Sequence, residues 1–246
     1  MAIQPRRSNT PMRFEAIFNW GKRDMKSWSE LCEQALNLHP ERTLEEMLGP
    51  LPQATETLAQ LSDDRVFSVL TRRVFRAGLK HALVDAKWPA FEKAFFGFNP
   101  EAVQEMSDEA LEQLMHNTEL IRHFGKIKAA RANALLMTDL AHEHGSVSRL
   151  IAHWPEENII GLWQLLKKRG KQLGGNSGAY FLRMLGKDTF ILTDDVVVAL
   201  KAQGVIDRKP TALRDLEAVQ AAFNELHQQS GRPLCQISRL LACSIG

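Results

Sequence analysis

The sequence predicts an all-α protein. Along the chain, apolar residues recur at intervals of three and four, the spacing that places them on one face of a helix. Residue types that start helices stand before several of these stretches, and no two segments alternate apolar and polar residues as paired strands do. We therefore expect one helical domain that covers residues 13–246, preceded by a flexible arm at residues 1–12.

The helices are predicted in order from their starting residues. Helical spacing begins at Phe14, and a core helix follows Ser62, because the acidic residues behind this serine favour the positive end of a helix dipole. Asn99 before Pro100 marks another start, since proline is well tolerated at the first helical position. Further starts are predicted at Ser107, near Gly125, near Ser146, at Glu157 (a helix that Gly170 ends), at Thr193 and at Thr211.

Composition limits the classes of function. The chain has 246 residues, a formal net charge of +2 and three cysteines. With charges this close to balance, nucleic-acid binding has to rest on a local basic patch. Three cysteines do not form a disulfide scaffold, and no signal-peptide core or run of about 18 apolar residues occurs. We therefore expect a cytoplasmic protein that does not enter a membrane.

The segment from Leu165 to Asp195 is the most informative. A helix that ends in a basic cluster is followed by a glycine-rich turn and by a second helix. Glycine lets a turn approach a ligand closely because it has no Cβ, and lysine and arginine supply the positive charge that a phosphate backbone requires. A plain helix–helix turn is the alternative. The residues predicted to contact DNA here are Lys168, Arg169, Lys171, Gly174, Gly175, Asn176, Ser177 and Gly178.

The block from Phe98 to Ala134 resembles the DNA-3-methyladenine glycosylase I family. In the family's order it carries Phe98-Asn99-Pro100, Val103 with Met106, Ile121-Arg122 with Lys126-Ile127, and Asn133-Ala134. An Ala-Gly-Leu triplet at 77–79 and a Lys-Lys-Arg-Gly run at 167–170 extend the likeness over roughly residues 62–200. The resemblance implies a helix-hairpin-helix DNA glycosylase fold, with that motif at about residues 160–200 and two helical subdomains flanking a cleft.

The resemblance also locates a base pocket, and this chain departs from the family there. The family's pocket glutamate corresponds to Arg73, and its stacking tryptophan corresponds to His81. An arginine repels a cationic methylated purine, whereas a glutamate attracts it. We predict a changed base pocket formed by Arg73, His81, Phe75 and Trp88. The alternatives are a solvated cluster of Arg72, Arg73 and Arg76, a buried histidine bonded to a carbonyl, and aromatic rings that belong to the core.

The family holds a zinc ion through cysteine and histidine residues close to the two chain ends. The first cysteine of this chain is Cys32, so the zinc site cannot be built in the same way. We predict neither a metal nor a cofactor.

The wider helix-hairpin-helix superfamily implies that Asp195 is the catalytic carboxylate, because it follows Gly175 by about twenty residues and begins the next helix. Asp194 is the second candidate. A carboxylate there can stabilise an oxocarbenium-like sugar or orient a water, or the two acids can serve only the helix dipole. Bifunctional members carry a lysine nucleophile where this chain has Ala179, so monofunctional hydrolysis is predicted.

Arg122 and Lys126, with Lys128 and Arg131, are predicted to extend the DNA path, although charges on helices often mark only a surface. Together these features predict a monomeric base-excision repair enzyme, a DNA glycosylase. It would hydrolyse the N-glycosidic bond of an alkylated purine flipped out of double-stranded DNA. The alternatives are a non-catalytic relative that binds damaged DNA and a protein-interaction module on the same scaffold.

Overall fold

A computed structural model describes residues 25–245 of the chain, so the predicted arm at residues 1–12 and the helical spacing at Phe14 lie outside the described residues. Within that range the chain forms fourteen α-helices and no strand. They are α1 Trp28–Leu38, α2 Leu44–Leu48, α3 Thr55–Ala59, α4 Asp63–Arg76, α5 His81–Ala94, α6 Pro100–Gln104, α7 Asp108–Leu114, α8 Phe124–His144, α9 Val147–Ala152, α10 Ile159–Arg169, α11 Ser177–Leu185, α12 Asp194–Ala202, α13 Leu213–Ser230 and α14 Leu234–Cys243. None of these helices is long and apolar enough to cross a membrane.

Capping side chains explain where several helices begin. Asn99, Ser107 and Thr193 each accept a hydrogen bond from a backbone N–H in the first turn of α6, α7 and α12. These three predicted starts are confirmed, as is the all-α class. The start predicted at Thr211 is wrong, because Ala212 precedes α13 and gives no side-chain cap.

The helices pack in two groups that meet at α11. In one group the long helix α8 packs against α4, α6, α7 and α9; in the other, α14 packs against α1, α2, α12 and α13. Helix α11 contacts α4 of the first group and α10, which packs against α13 of the second group, so α11 joins the two groups. The turn before α11 and the residues that face this helix therefore lie where the two groups of helices meet.

Candidate DNA-binding and active site

The turn between α10 and α11 depends on two glycines for different reasons. A Cβ on Gly170 would lie 2.5 Å from Leu173 Cδ1 and 2.7 Å from the carbonyl oxygen of Leu166, so no larger residue fits. Gly175 has φ +57°, in the left-handed region that glycine adopts without strain. Helix α11 starts two residues later, at Ser177. The helix, turn and helix predicted from the sequence are therefore present.

Helix α8 holds this turn through Asn133. The Asn133 side chain is fully buried; its Nδ2 donates to the carbonyl oxygen of Lys171 at 3.0 Å, and the Lys171 N–H donates to its Oδ1 at 2.7 Å. Next to it, Gln172 Nε2 donates to the carbonyl oxygen of Gly125 at 3.0 Å. Asn133 belongs to the motif that carries the family resemblance, but its role in holding the turn was not predicted from the sequence. The signal was present: an amide on the buried face of a helix must find polar partners.

The basic side chains of the hairpin differ in their availability. Lys168 and Lys171 are exposed, as is Arg122 on the segment before α8. Arg169 instead donates to both carboxylate oxygens of Glu143 at 2.7 and 2.8 Å, and this pair lowers the pKa of Glu143 and raises that of Arg169. Its charge is thus compensated within the chain, whereas the two lysines are free to face a phosphate backbone.

Lys126 does not line a DNA path, so this prediction is wrong. The residue is buried, and its Nζ donates to the carbonyl oxygens of Phe75 at 3.1 Å and Ala77 at 2.5 Å. These carbonyls end α4, where backbone acceptors lack partners within the helix. Burial lowers the pKa of Lys126, and the positive charge of Arg73 lowers it further. The lysine serves to close the end of α4.

Phe75 and Trp88 are core residues, so their prediction as base-pocket residues is also wrong. Phe75 is fully buried, and Trp88 Nε1 donates to Ser68 Oγ at 3.0 Å. The Trp88 ring stacks on Phe98, with centroids 5.1 Å apart and planes within 5°. Because the ring of Trp88 is packed and its N–H is already hydrogen-bonded, this side chain is not available to stack on a flipped base. The alternative of core aromatics is correct.

Arg73 faces the helix that follows the hairpin. Its guanidinium carbon lies 4.7 Å from the centre of the Tyr180 ring, and its Nη2 lies 3.4 Å from Ser177 Oγ. The side chain is partly buried; burial lowers the pKa of Arg73, and the nearby charge of Arg76 lowers it as well. Its contact with Tyr180 was not predicted from the sequence.

The alternative of a solvated arginine cluster is wrong for the two arginines beside Arg73. The Arg72 guanidinium lies 4.7 Å from the Trp88 ring centre, and Arg76 donates to both oxygens of Asp85 at 2.5 to 3.1 Å. His81 is the first residue of α5 and is exposed, so the alternative of a buried histidine is wrong as well.

Asp195 presents an unpaired carboxylate in the first turn of α12. It is exposed and has no hydrogen bond or ion pair with any other described residue, whereas Asp194 lies 3.3 Å from Lys209 Nζ. Asn176 Nδ2 donates to the carbonyl oxygen of Leu192 at 2.7 Å. Leu192 stands three residues before Asp195, so their Cα atoms are at most about 11 Å apart. This contact ties the start of α12 to the start of α11, the same turn of helix that Arg73 approaches.

A groove of about 630 Å³ lies on the α8 side of the hairpin, with Lys128, Lys171 and Gln172 in its wall. Lys128 is exposed, while Arg131 in the same wall donates to Asp108 and to the carbonyl oxygen of Met106. The groove therefore adds one available lysine to those of the hairpin.

The donor set of the family's zinc site is not assembled in the part of the chain that the structure describes. No three His, Cys, Asp or Glu side chains gather there in a way that holds a metal ion. Cys32, Cys235 and Cys243 are all free thiols, and burial raises the pKa of Cys235 to about 11. The cysteines of this chain therefore do not fit a zinc site of the family's kind.

Helices α10 and α11, joined by the glycine turn and followed by α12, have the arrangement of a helical DNA glycosylase fold. The structure is similar to that of Tm1821, the 8-oxoguanine DNA glycosylase of Thermotoga maritima, with 16% identity and a TM-score of 0.53 over 87% of this chain and 95% of that one. It is also similar to the Methanocaldococcus jannaschii 8-oxoguanine glycosylase/lyase bound to a 15mer DNA containing 8-oxoguanine, with 15% identity and a TM-score of 0.51 over 86% and 95% of the two chains. A 3-methyladenine DNA glycosylase I from Staphylococcus aureus matches with 24% identity and a TM-score of 0.47 over 51% of this chain and 77% of that one.

The sequence identifies the family within this class. Residues 57–181 match the family model of the methyladenine glycosylases, which is more than half of the chain. The chain therefore belongs to the methyladenine glycosylase family, and the predicted resemblance is confirmed. This membership places it among the DNA glycosylases of base-excision repair.

Proposed function

We propose that this protein is a monofunctional glycosylase that hydrolyses the N-glycosidic bond of a damaged purine flipped out of duplex DNA, with Asp195 as the catalytic carboxylate. The observation that carries the proposal is the position of this group. It is exposed in the first turn of α12 and has no partner among residues 25–245, and the contact from Asn176 to Leu192 ties that turn to the hairpin. Family membership makes an alkylated purine the first lesion to test.

The proposed reaction needs a negative group close to the sugar. The bond from C1′ to the base nitrogen breaks, and the base leaves with its electron pair. Asp195 stabilises the positive charge that develops on the sugar and accepts a proton from the water that adds to C1′. This proton then passes to solvent, and a base that leaves as an anion takes up a proton from water. The start of α12 suits this role, because a negative group is favourably placed at the positive end of a helix dipole.

The hairpin supplies the proposed grip on DNA. The exposed backbone at Gly174 and Gly175 precedes the N-terminus of α11, where N–H groups and the helix dipole favour a phosphate. Lys168 and Lys171 on the hairpin and Lys128 beside it add positive charge. We propose that a monomer contacts one damaged duplex through this surface.

Two residues favour hydrolysis over a lyase reaction. The superfamily resemblance implies that the position of the lysine nucleophile falls near Ala179, which is fully buried in α11. Lys187 is the first lysine after the turn; it is 3% exposed, and its Nζ donates to Glu156 Oε1 at 2.6 Å and to the carbonyl oxygens of Ala152 and Trp154. An amine held in this way is not available to form a Schiff base.

The proposal is tested by incubating excess protein with duplexes that carry a single methylated purine or a single hypoxanthine. We expect release of the free base, an abasic site in an uncut strand, and no protein–DNA adduct after borohydride reduction. If no base is released while a control glycosylase works and damaged duplex is still bound, the protein is a non-catalytic damage-binding relative. A nicked strand with a trapped adduct would contradict monofunctional hydrolysis.

A further inference from the structure

We propose that Arg73 selects an uncharged purine that carries a carbonyl oxygen at C6 beside an N7 acceptor, a 6-oxopurine lesion such as hypoxanthine. The inference rests on the proposed function, since it names the substrate class of the same site. It sets this chain apart from a pocket built around a glutamate, which suits a cationic methylated purine.

Arg73 lies at the junction between α4 and the start of α11, next to the hairpin. It projects from the last turn of α4 onto the first turn of α11, with Nη2 3.4 Å from Ser177 Oγ. The residue before Ser177, Asn176, bonds to the segment that leads into Asp195. The first turn of α11 is thus contacted by Arg73, and the residue before it is tied to the segment that leads into the candidate carboxylate.

The charge around Arg73 is positive and uncompensated. Arg76 is neutralised by Asp85, and the amine of Lys126 is bonded to carbonyl oxygens, but Arg73 forms no ion pair with any carboxylate in the described range. A cationic base brought to this place would meet a partly buried guanidinium with no acid to offset the repulsion. An uncharged base avoids this cost.

The available N–H donors of Arg73 determine which hydrogen-bonding edge of a purine it can bind. A guanidinium has five N–H donors and no acceptor. In this chain Nη2 contacts Ser177, and Nε is buried with no partner among the described residues, so the N–H groups that can meet a ligand are those of Nη1 and Nη2. A 6-oxopurine presents O6 and N7 side by side, and an arginine binds this pair of acceptors with two N–H groups. An adenine edge places an amino donor beside N7, so it faces the arginine with the wrong group.

Tyr180 is the positioning residue of this arrangement. It is the only tyrosine of the chain, and its ring lies 4.7 Å from the guanidinium carbon of Arg73. Stacking on an aromatic face holds a planar guanidinium in one orientation, which fixes the direction of the in-plane donors. A base that bonds to those donors lies in the plane of the guanidinium, so Tyr180 sets the plane of the bound base.

The test measures equilibrium affinity with the full-length protein. The duplexes carry 2′-fluoro-arabino nucleotides, which resist glycosidic hydrolysis, with hypoxanthine or with 7-methylguanine as the base. 7-Methylguanine keeps the C6 carbonyl but is cationic and lacks the N7 acceptor. We expect hypoxanthine to be bound at least about 10-fold more tightly, the discrimination of a bidentate arginine contact. Arg73→Gln should abolish this preference, and Arg73→Glu should reverse it.

Tyr180 provides a matched pair of variants. Tyr180→Phe keeps the ring and should keep the preference for hypoxanthine, whereas Tyr180→Leu removes the ring and should reduce the preference. Circular dichroism confirms that each variant is folded before its affinity is compared.

Two results would overturn the inference: wild-type protein that binds 7-methylguanine as tightly as hypoxanthine, or an Arg73→Gln variant that keeps the full preference. The outcome is separate from that of the hydrolysis assay. A preference for hypoxanthine without base release would refute hydrolysis but support the role of Arg73. Base release without that preference would support hydrolysis but refute the role of Arg73.

Discussion

Replacing Asn133 with leucine tests how the hairpin is held. Leucine has a similar volume, but it removes both hydrogen bonds to the Lys171 backbone, at 3.0 and 2.7 Å, from a fully buried position. Each bond contributes about 1–1.5 kcal/mol, so the free energy of unfolding should fall by about 2–3 kcal/mol. For a chain of this size the melting temperature should fall by about 5–10 °C.

The assay pairs thermal unfolding, followed by far-UV circular dichroism, with duplex affinity measured at a temperature where every variant is folded. Because Asn133 supports the turn that carries the proposed phosphate contacts, Asn133→Leu should also weaken duplex binding. The matched control is Asn99→Ala, which removes the cap of α6, costs about 1 kcal/mol and should leave duplex affinity unchanged.

Two results would refute this reasoning about Asn133. A melting temperature within about 2 °C of wild type, smaller than a loss of 1 kcal/mol gives, would mean that the two bonds do not stabilise the turn. A lower melting temperature with unchanged duplex affinity would mean that the turn is stabilised as described but does not grip DNA.

Three further predictions concern charged and titratable groups. Lys168→Gln should reduce the slope of log affinity for duplex DNA against log salt by about 0.9, while Lys126→Gln, which opens the end of α4, should lower stability and leave that slope unchanged. Asp188→Asn should lower the free energy of unfolding by about 1–3 kcal/mol in urea titrations, because its carboxylate accepts two backbone N–H groups, each at 2.8 Å, where α14 begins. Burial raises the pKa of Cys235 from 9.0 to about 11, so the folded state keeps a proton that the unfolded chain loses. Relative to Cys235→Ala, wild-type stability should therefore fall as the pH rises from 9 to 11, by up to about 1.4 kcal/mol per pH unit.

The part of the fold that could be predicted rests mainly on local sequence signals at the starts of helices. Helices α6, α7 and α12 begin at capping residues that the sequence displays. Two further signals were present but not used: Ser27 with Glu30, and Thr43 with Glu46, form the capping boxes of α1 and α2. Helices α5 and α14 were not predicted, because they follow Lys80 and Pro233, which give no side-chain cap.

The candidate site was less predictable, because its side chains are placed by contacts between distant segments. Lys126 resembles a surface lysine in the sequence, and only the packing of α8 against α4 turns its amine toward the end of that helix. The contacts of Trp88 with Ser68 and Phe98 likewise depend on packing between separate segments. Asp195 could be proposed from the sequence because the superfamily resemblance gives its position as an interval from the hairpin, whereas the pairing of Arg73 with Tyr180 depends on how α4 meets α11.

The most direct test of the central claim is the single-turnover rate of base release by Asp195→Asn at saturating protein. The account predicts a rate at least about 100-fold below that of wild type, with duplex affinity retained, since the variant loses one preorganised charge and no contact within the chain. Asp194→Asn should lose far less, because Asp194 lies beside Lys209. An Asp195→Asn variant that releases the base at the wild-type rate would contradict the assignment of the active site.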